Sequence, residues 1–481
     1  MLVPNPVVPG RSTAGHAPAA GADATPPGVA AAPSGAGRVA TRPADPVSLA
    51  GLAACVEDAR RAALSRRSGP PEPGSFAELR SRLARAAAAV PAAWRDAVAR
   101  PLVTALDGLG ARGYARVLAG DPLREGNAGL LLDACQAVLQ RGEGHAVAAT
   151  AAFQEVVRDL YDGFLSAEDR KGVKPPDHGV TAPMVRWGSA EGGPYTWPAT
   201  ATAALGIGAA IVSLPAANAE AGLLAWPALA HEAAGHDVLA ADDGLREELA
   251  TAVHDRLLEA RLSPAIATYW SRRIDETASD VLGVLNMGPA AAVGMVGYFR
   301  ALGGAWRGDP ALRTAGRPED PHPADIARAW LSAETVRLLS FRGAGRWADR
   351  LVAEADRDLG PVRLGNALVT AEAARASAAI VARTIAGTPL RSLEGRSLRE
   401  VQDWTDGDEA VATALRRELR DGGVGAPGSR ARGAWAAHAV AAGVYEAVSG
   451  ATAPGEVMGR MVTMLAAMHR EAAGAPGPRA A

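Results

Sequence analysis

Two imidazoles and a carboxylate crowd into the six residues His231-Glu232-Ala233-Ala234-Gly235-His236, directly after a long apolar run. Histidine is the commonest metal ligand and an adjacent glutamate can move a proton, so this set is suited to hold a divalent metal and do acid-base work beside it. Metal-binding helices of this kind usually space their histidines at i and i+4, about 40° apart around the axis. Here the second histidine is at i+5, and five residues of regular helix leave it roughly 140° from the first. A regular helix would split the pair. A one-residue π-bulge absorbs the extra residue and returns both rings to one face, and Gly235, which lacks a Cβ, eases that distortion.

Two histidines leave a tetrahedral zinc short of a protein ligand and a water. Downstream, Arg273-Ile274-Asp275-Glu276-Thr277-Ala278-Ser279-Asp280-Val281-Leu282-Gly283 places Glu276 and Asp280 at i and i+4 on one helical face, with apolar residues following. Glu276 can ligate metal. Asp280, one turn on, can accept the outer N–H of a ligating histidine, which fixes the tautomer and raises ligand basicity.

The paired segments resemble those of the gluzincin metallopeptidases, whose second motif has a ligand glutamate followed four residues later by an aspartate. The expanded first motif, with glycine before the second histidine, is similar to that of the dipeptidyl-peptidase III family. There too an acid precedes the ligand glutamate, as Asp275 precedes Glu276 here. The resemblance is confined to the two zinc-site segments, so substrate class does not transfer. It implies zinc (Zn2+) bound by His231, His236 and Glu276, with Glu232 as the base that activates water in a metallopeptidase acting on a peptide or protein substrate.

Such a reaction needs a donor for the oxyanion, and His322, Tyr298 and Tyr269 are the candidates. His322 is favoured. It lies in Asp320-Pro321-His322-Pro323-Ala324-Asp325-Ile326-Ala327-Arg328, similar to the His-Pro and following Arg found after the zinc helices in one gluzincin branch. Capping the helix that starts near Ala324 is its alternative role. A second function class also stays open, in which the same zincin fold binds zinc or a peptide without turnover. A di-iron bundle would need paired Glu-x-x-His motifs, and the sequence has no such repeated pair. His254, in a helical run, and His178, in a turn, are weaker candidates.

The elements that must position these residues are mostly helical. Amphipathic runs such as Leu49 to Leu64, Phe76 to Val90 and Ala128 to Leu139 predict a helical N-terminal region over 46–145. The catalytic unit is expected over 146–345. It would hold a helix from Ala146 to Leu165, a motif helix from Leu223 to Leu239, a helix from Leu245 to Leu262, a glutamate helix from Ala265 to Leu285, and a helix from Pro323 to Leu339. A helical C-terminal region follows over 346–472, with runs at Leu364 to Thr384, Asp408 to Leu419, Ala434 to Val448 and Pro454 to Ala472. Residues 1–45 and 473–481 have too little periodic apolar content to offset ordering entropy, so both are expected to be disordered. The fold class is therefore mainly α (α+β), a zincin-like unit with a small mixed sheet beside the active-site helix and helical regions on either side.

Two upstream segments bear on that sheet. Gly206 to Pro215 reads as a short strand ended by proline, either an edge lying beside bound substrate, which the proline suits, or an ordinary core strand. Val185 to Pro198 concentrates Trp187, Tyr195 and Trp197 in a chain only 4% aromatic, and its Gly and Pro content predicts a loop, packed over the catalytic core in preference to walling a pocket.

Composition sets outer bounds. A 481-residue chain with 48% hydrophobic residues is not limited by core size. Its 50 basic residues face 52 acidic ones, which gives no electrostatic signature of a nucleic-acid or anionic-membrane partner. Cys55 and Cys135 do not make a disulfide framework or a metal pair. The N-terminus has neither a basic n-region nor a continuous apolar h-region, so the expected location is cytoplasmic. Ala199 to Ala217 is apolar enough to resemble a span but is Ala, Gly and Thr rich, and is read as buried strand and loop. Oligomeric state does not follow from the sequence.

Overall fold

A computed structural model describes residues 47–165, 170, 172–178, 181–422 and 433–474. The expectations for 1–45 and for the chain beyond 474 lie outside the described residues. Within them the protein is mainly α-helical, with a three-stranded mixed sheet and a two-stranded hairpin. The helices start where local chemistry satisfies their first amides: the Ser75 hydroxyl accepts from the Glu78 amide, Thr370 does the same for Ala373, and Ser397 with Glu400 forms a capping box.

The sheet comprises β1 (Met184–Gly188), β2 (Tyr195–Trp197) and β3 (Ile211–Pro215) in the order β1-β3-β2. β3 runs parallel to β1, with Met184 opposite Ile211, and antiparallel to β2, with Trp197 opposite Ile211. The proline-ended run is therefore the central strand, not an edge. Its residues are buried throughout, as a strand paired on both sides and covered on both faces requires, and Pro215 interrupts nothing because it closes the strand. The segment expected as a loop supplies β1 and β2. Pairing with β3 overrides its turn residues, which are confined to the connection around Ala190–Gly192 and Gly193.

Side-chain alternation splits the sheet between two cores. Val185, Trp187, Val212 and Leu214 face the main core, while Met184, Ile211 and Trp197 face a second core built with the helices at Phe76–Ala89, Arg100–Gly120 and Asn127–Gly142. The main core draws on Val47 to Ala59 and on residues from Ala149 to Met468, so it joins chain from both sides of the boundaries expected at 145 and 345. The Leu52–Ala63 helix packs on Pro289–Trp306, and Val147–Leu165 packs on Pro454–Gly474, so the flanking helices share the core that surrounds the motif.

The expected glutamate helix is two helices, Pro264–Ser271 and Ile274–Met287. The chain turns at Arg273, whose guanidinium donates to the carbonyls of Tyr269 and Pro318. The run expected as a helix from Leu364 instead begins with a hairpin, Val362–Leu364 with Ala367–Val369, and the helix starts at Ala371. The Pro289–Trp306 helix carries no clear apolar stripe, because nearly all of it is apolar or glycine. Its glycines are needed for close packing: a Cβ on Gly294 would lie 2.5 Å from Pro227 and one on Gly297 2.4 Å from Leu224. Among the described residues no helix is long and apolar enough to cross a membrane.

Candidate metal centre

The motif helix starts as regular α-helix over Ala228–His231 and continues as π-helix over Glu232–Asp237. The wider turn takes up the residue that an i, i+5 spacing leaves over. The two imidazoles stand with ring centroids 4.7 Å apart and planes at 88°. Gly235 does more than ease the backbone. A Cβ there would stand 2.5 Å from the Ser279 Cβ, and one on Gly283 would stand 3.3 Å from the His231 amide nitrogen. These two glycines let the motif helix lie directly against the Ile274–Met287 helix.

That contact delivers the third donor. Glu276 Oε2 lies 3.5 Å from His231 Nε2, and Glu276 Oε1 lies 3.7 Å from His236 Nε2. One ligand atom from each of the three residues falls within 4.8 Å of the others. Among the described residues Glu276 Oε2 is buried with no hydrogen-bond partner, although Arg328 Nη2 stands 3.5 Å away. A buried carboxylate oxygen left unsatisfied is costly unless something cationic completes it, so two imidazole nitrogens and a carboxylate converging on one point fit a zinc ion by donor type.

The opposite ring nitrogens are held by acids. His231 Nδ1 lies 2.8 Å from Asp280 Oδ1, and His236 Nδ1 lies 3.0 Å from Asp275 Oδ2. Both bonds leave Nε2 directed at the shared point. Asp280 is gripped by Arg328, which donates from Nε at 2.8 Å and from Nη2 at 2.7 Å, and Asp275 also meets Arg246 at 3.2 Å. Burial opposes charge on this cluster, and mutual attraction overrides it. His231 is pushed up to about 10 by Asp280 and Glu276, His236 is raised by Asp275, and the imidazoles of His322, His231 and His236 with Arg328 hold Glu276 well below the usual carboxylate range.

Glu232 sits beside this point without joining it. Its Oε2 accepts from the Thr196 hydroxyl at 3.0 Å. His322 Nδ1 is 2.9 Å from Asp320 Oδ1, and its Nε2 is 3.4 Å from Glu276 Oε1. It does not cap the following helix, which begins at Asp325 with no side-chain cap. Tyr298 is buried and lines the same cavity, and burial and the Glu232 charge both raise its phenol. Tyr269 is not brought to the site: its hydroxyl accepts from the Ala324 amide at 2.9 Å and does not line the cavity. His254 pairs with its neighbour Asp255, and His178 with Asp243, both away from the centre. Thr196, Asp320 and Arg328 are the functional neighbours that residue spacing did not mark as site residues. For Thr196 no local signal exists, since one hydroxyl in a three-residue strand has no spacing to read.

His231, Glu232, His236, Glu276, Tyr298 and His322 all line one cavity of about 1060 Å³. Met295, Phe299, Leu302 and Trp306 form an apolar wall from a single helix, at i, i+4, i+7 and i+11. Gly193, Pro194 and Tyr195, leading into the edge strand β2, line another side.

No family model, curated protein or solved structure matches this chain.

Proposed function

We propose that this protein is a zinc-dependent metallopeptidase of zincin type. The observation that carries the reading is the convergence of His231, His236 and Glu276 to within 4.8 Å, with Glu276 Oε2 buried and unsatisfied, at the wall of a large cavity. His231, His236 and Glu276 would hold the ion, and Asp280 and Asp275 would keep the two imidazoles oriented. Zinc, when bound, supplies Lewis acidity that polarises a carbonyl and acidifies water.

The remaining chemistry belongs to this chain. Glu232, beside the first histidine, takes a proton from the attacking water and later delivers it to the leaving amine. His322, held at Nδ1 by Asp320, turns Nε2 toward the developing oxyanion. Burial would raise the Asp320 carboxyl, and the bonds from His322 hold it down to about 2, so it stays an acceptor. Tyr298 offers a second hydroxyl donor from the covering helix. The apolar wall and the adjacent edge strand suit a peptide, whose backbone can align with a strand while its side chains bury apolar surface.

The test is metal content of the purified protein by elemental mass spectrometry, beside His236→Ala, followed by a peptide library. About one zinc per chain is expected, lost in the variant, with cleavage by wild type and none by a Glu232→Gln protein that keeps its zinc. Zinc without cleavage of any peptide would favour the non-catalytic binding role.

A further inference from the structure

We propose that Thr196 positions Glu232, and that Asp133 holds Thr196 in place through the two aromatic side chains that flank it. The inference rests on the reading of Glu232 as the proton-transfer group of a peptidase. β2 is only three residues long, Tyr195, Thr196 and Trp197, and in a strand successive side chains point to opposite faces. On one face both flanking residues converge on Asp133 Oδ2: the Tyr195 hydroxyl donates at 2.5 Å and the Trp197 Nε1–H at 2.8 Å. On the other face the Thr196 hydroxyl reaches Glu232 Oε2 at 3.0 Å. The strand is thus clamped from behind by a carboxylate and touches the reacting carboxylate with its front.

The clamp is buried and electrically balanced. Thr196 is 6% exposed and Asp133 5%. Arg186 of β1 faces Asp133 Oδ1 and donates to the Tyr195 hydroxyl at 2.5 Å, so the charge of Asp133 is matched. Asp133 belongs to the Asn127–Gly142 helix, whose partners form the second core. The clamp on β2 therefore comes from a helix other than the two that carry the three candidate ligands.

Glu232 needs such a hold. Among the described residues its carboxylate has no other hydrogen bond or ion pair, and it projects from a π-helical turn into a large cavity. A glutamate with several rotatable bonds would otherwise sample positions from which it cannot reach the water, and a misplacement of about 1 Å can cost on the order of 100-fold in rate. Thr196 also lies 3.2 Å from the Glu232 carbonyl oxygen, so its single proton can serve either acceptor. The charged carboxylate is the stronger acceptor.

The experiment compares zinc-loaded Thr196→Val, Thr196→Ser and Asp133→Asn with wild type on a peptide taken from the library, with zinc content measured for each. Thr196→Val is nearly isosteric and loses only the hydroxyl. It is expected to lower kcat by about 10- to 100-fold with KM and zinc content unchanged, and Thr196→Ser to restore most of that loss. Asp133→Asn is expected to lower kcat in the same way, and the double variant with Thr196→Val to be little worse than Thr196→Val alone, because both act through one contact. Should Asp133→Asn fail to fold, Trp197→Phe removes a single N–H from the clamp and is expected to give a smaller loss of the same kind. Full kcat in Thr196→Val, or a loss that Thr196→Ser does not recover, overturns the inference and leaves the peptidase reading standing. A wild type that binds zinc and cleaves no peptide overturns both.

Discussion

Gly235 and Ser279 touch where no larger residue could stand at position 235: a Cβ there would meet the Ser279 Cβ at 2.5 Å and its Oγ at 2.7 Å. A close approach of the motif helix to the Ile274–Met287 helix therefore lies one residue before the second histidine. Gly235→Ala should force the helices apart at that point. Overpacking of this kind costs about 1 to 3 kcal/mol, and the displacement acts directly on the distance between His236 and Glu276. Thermal unfolding and zinc titration of the variant should show a lowered Tm and at least tenfold weaker zinc binding. Wild-type affinity in Gly235→Ala would mean that the glycine serves packing alone.

His322 Nε2 lies 3.4 Å from Glu276 Oε1 but is not needed to complete the three-donor set. His322→Phe keeps a ring of similar shape and removes the donor. Loss of an oxyanion donor costs about 2.7 to 4 kcal/mol, so kcat should fall on the order of 100- to 1000-fold while zinc content is preserved. An unchanged rate would remove His322 from the mechanism, and lost zinc would make it a ligand instead.

Zinc affinity should depend on pH with a definite sign. In the metal-free protein the His231 imidazolium is favoured, its value pushed up to about 10 by Asp280 and Glu276 against the opposing effect of burial. A ligating histidine must be neutral, so across neutral pH zinc binding displaces a proton. Affinity should therefore rise from pH 6 to pH 9. Competition with a chromogenic chelator reads the trend, and calorimetry in buffers of different ionisation enthalpy reads the released protons. A flat profile with no proton release would contradict the electrostatics of the site.

Glu446 makes a separate prediction about stability. Its carboxylate is fully buried and accepts from Arg416 Nε at 3.0 Å, Arg420 Nη2 at 2.7 Å and Thr452 Oγ1 at 2.8 Å, tying the Ala436–Val448 helix to Asp406–Asp421. Burial alone would raise this group, and the donors hold it down to about 2. A depressed carboxylate stabilises the fold above its unfolded value near 4.5, and that contribution is lost as pH falls toward 2. Tm measured from pH 6 to pH 2.5 should fall more steeply in wild type than in Glu446→Gln, which is less stable at pH 6. Parallel curves would show that Glu446 is not a source of the acid sensitivity.

Much of the candidate site is written in local spacing. His231, Glu232 and His236 declare themselves because three residues of the right chemistry stand within one helical turn and a half, and Glu276 with Asp280 because i, i+4 is a geometric statement about one helix face. The surplus residue in the first motif already demands a wider turn, and the helix is π over Glu232–Asp237. Most amphipathic helices are legible for the same reason, since each carries its own apolar stripe. The Pro289–Trp306 helix is not, because burial on nearly all sides erases the periodicity that would reveal it. The strands are less legible because pairing depends on partners distant in the chain: a local proline leaves Ile211–Pro215 open as edge or core strand, and it is central because β1 and β2 arrive on either side.

The sequence by itself thus determined the residue types, the helical framework and the need for a distorted motif helix, all properties of neighbours in the chain. Only the tertiary structure decided that Glu276 meets the two histidines, that His322 faces the same cavity while Tyr269 does not, and that Thr196, backed by Asp133, reaches Glu232. Those relations depend on how closely two helices approach at Gly235 and Gly283 and on which face of a three-residue strand turns toward the site, and such distances are set by packing between segments that no local pattern links.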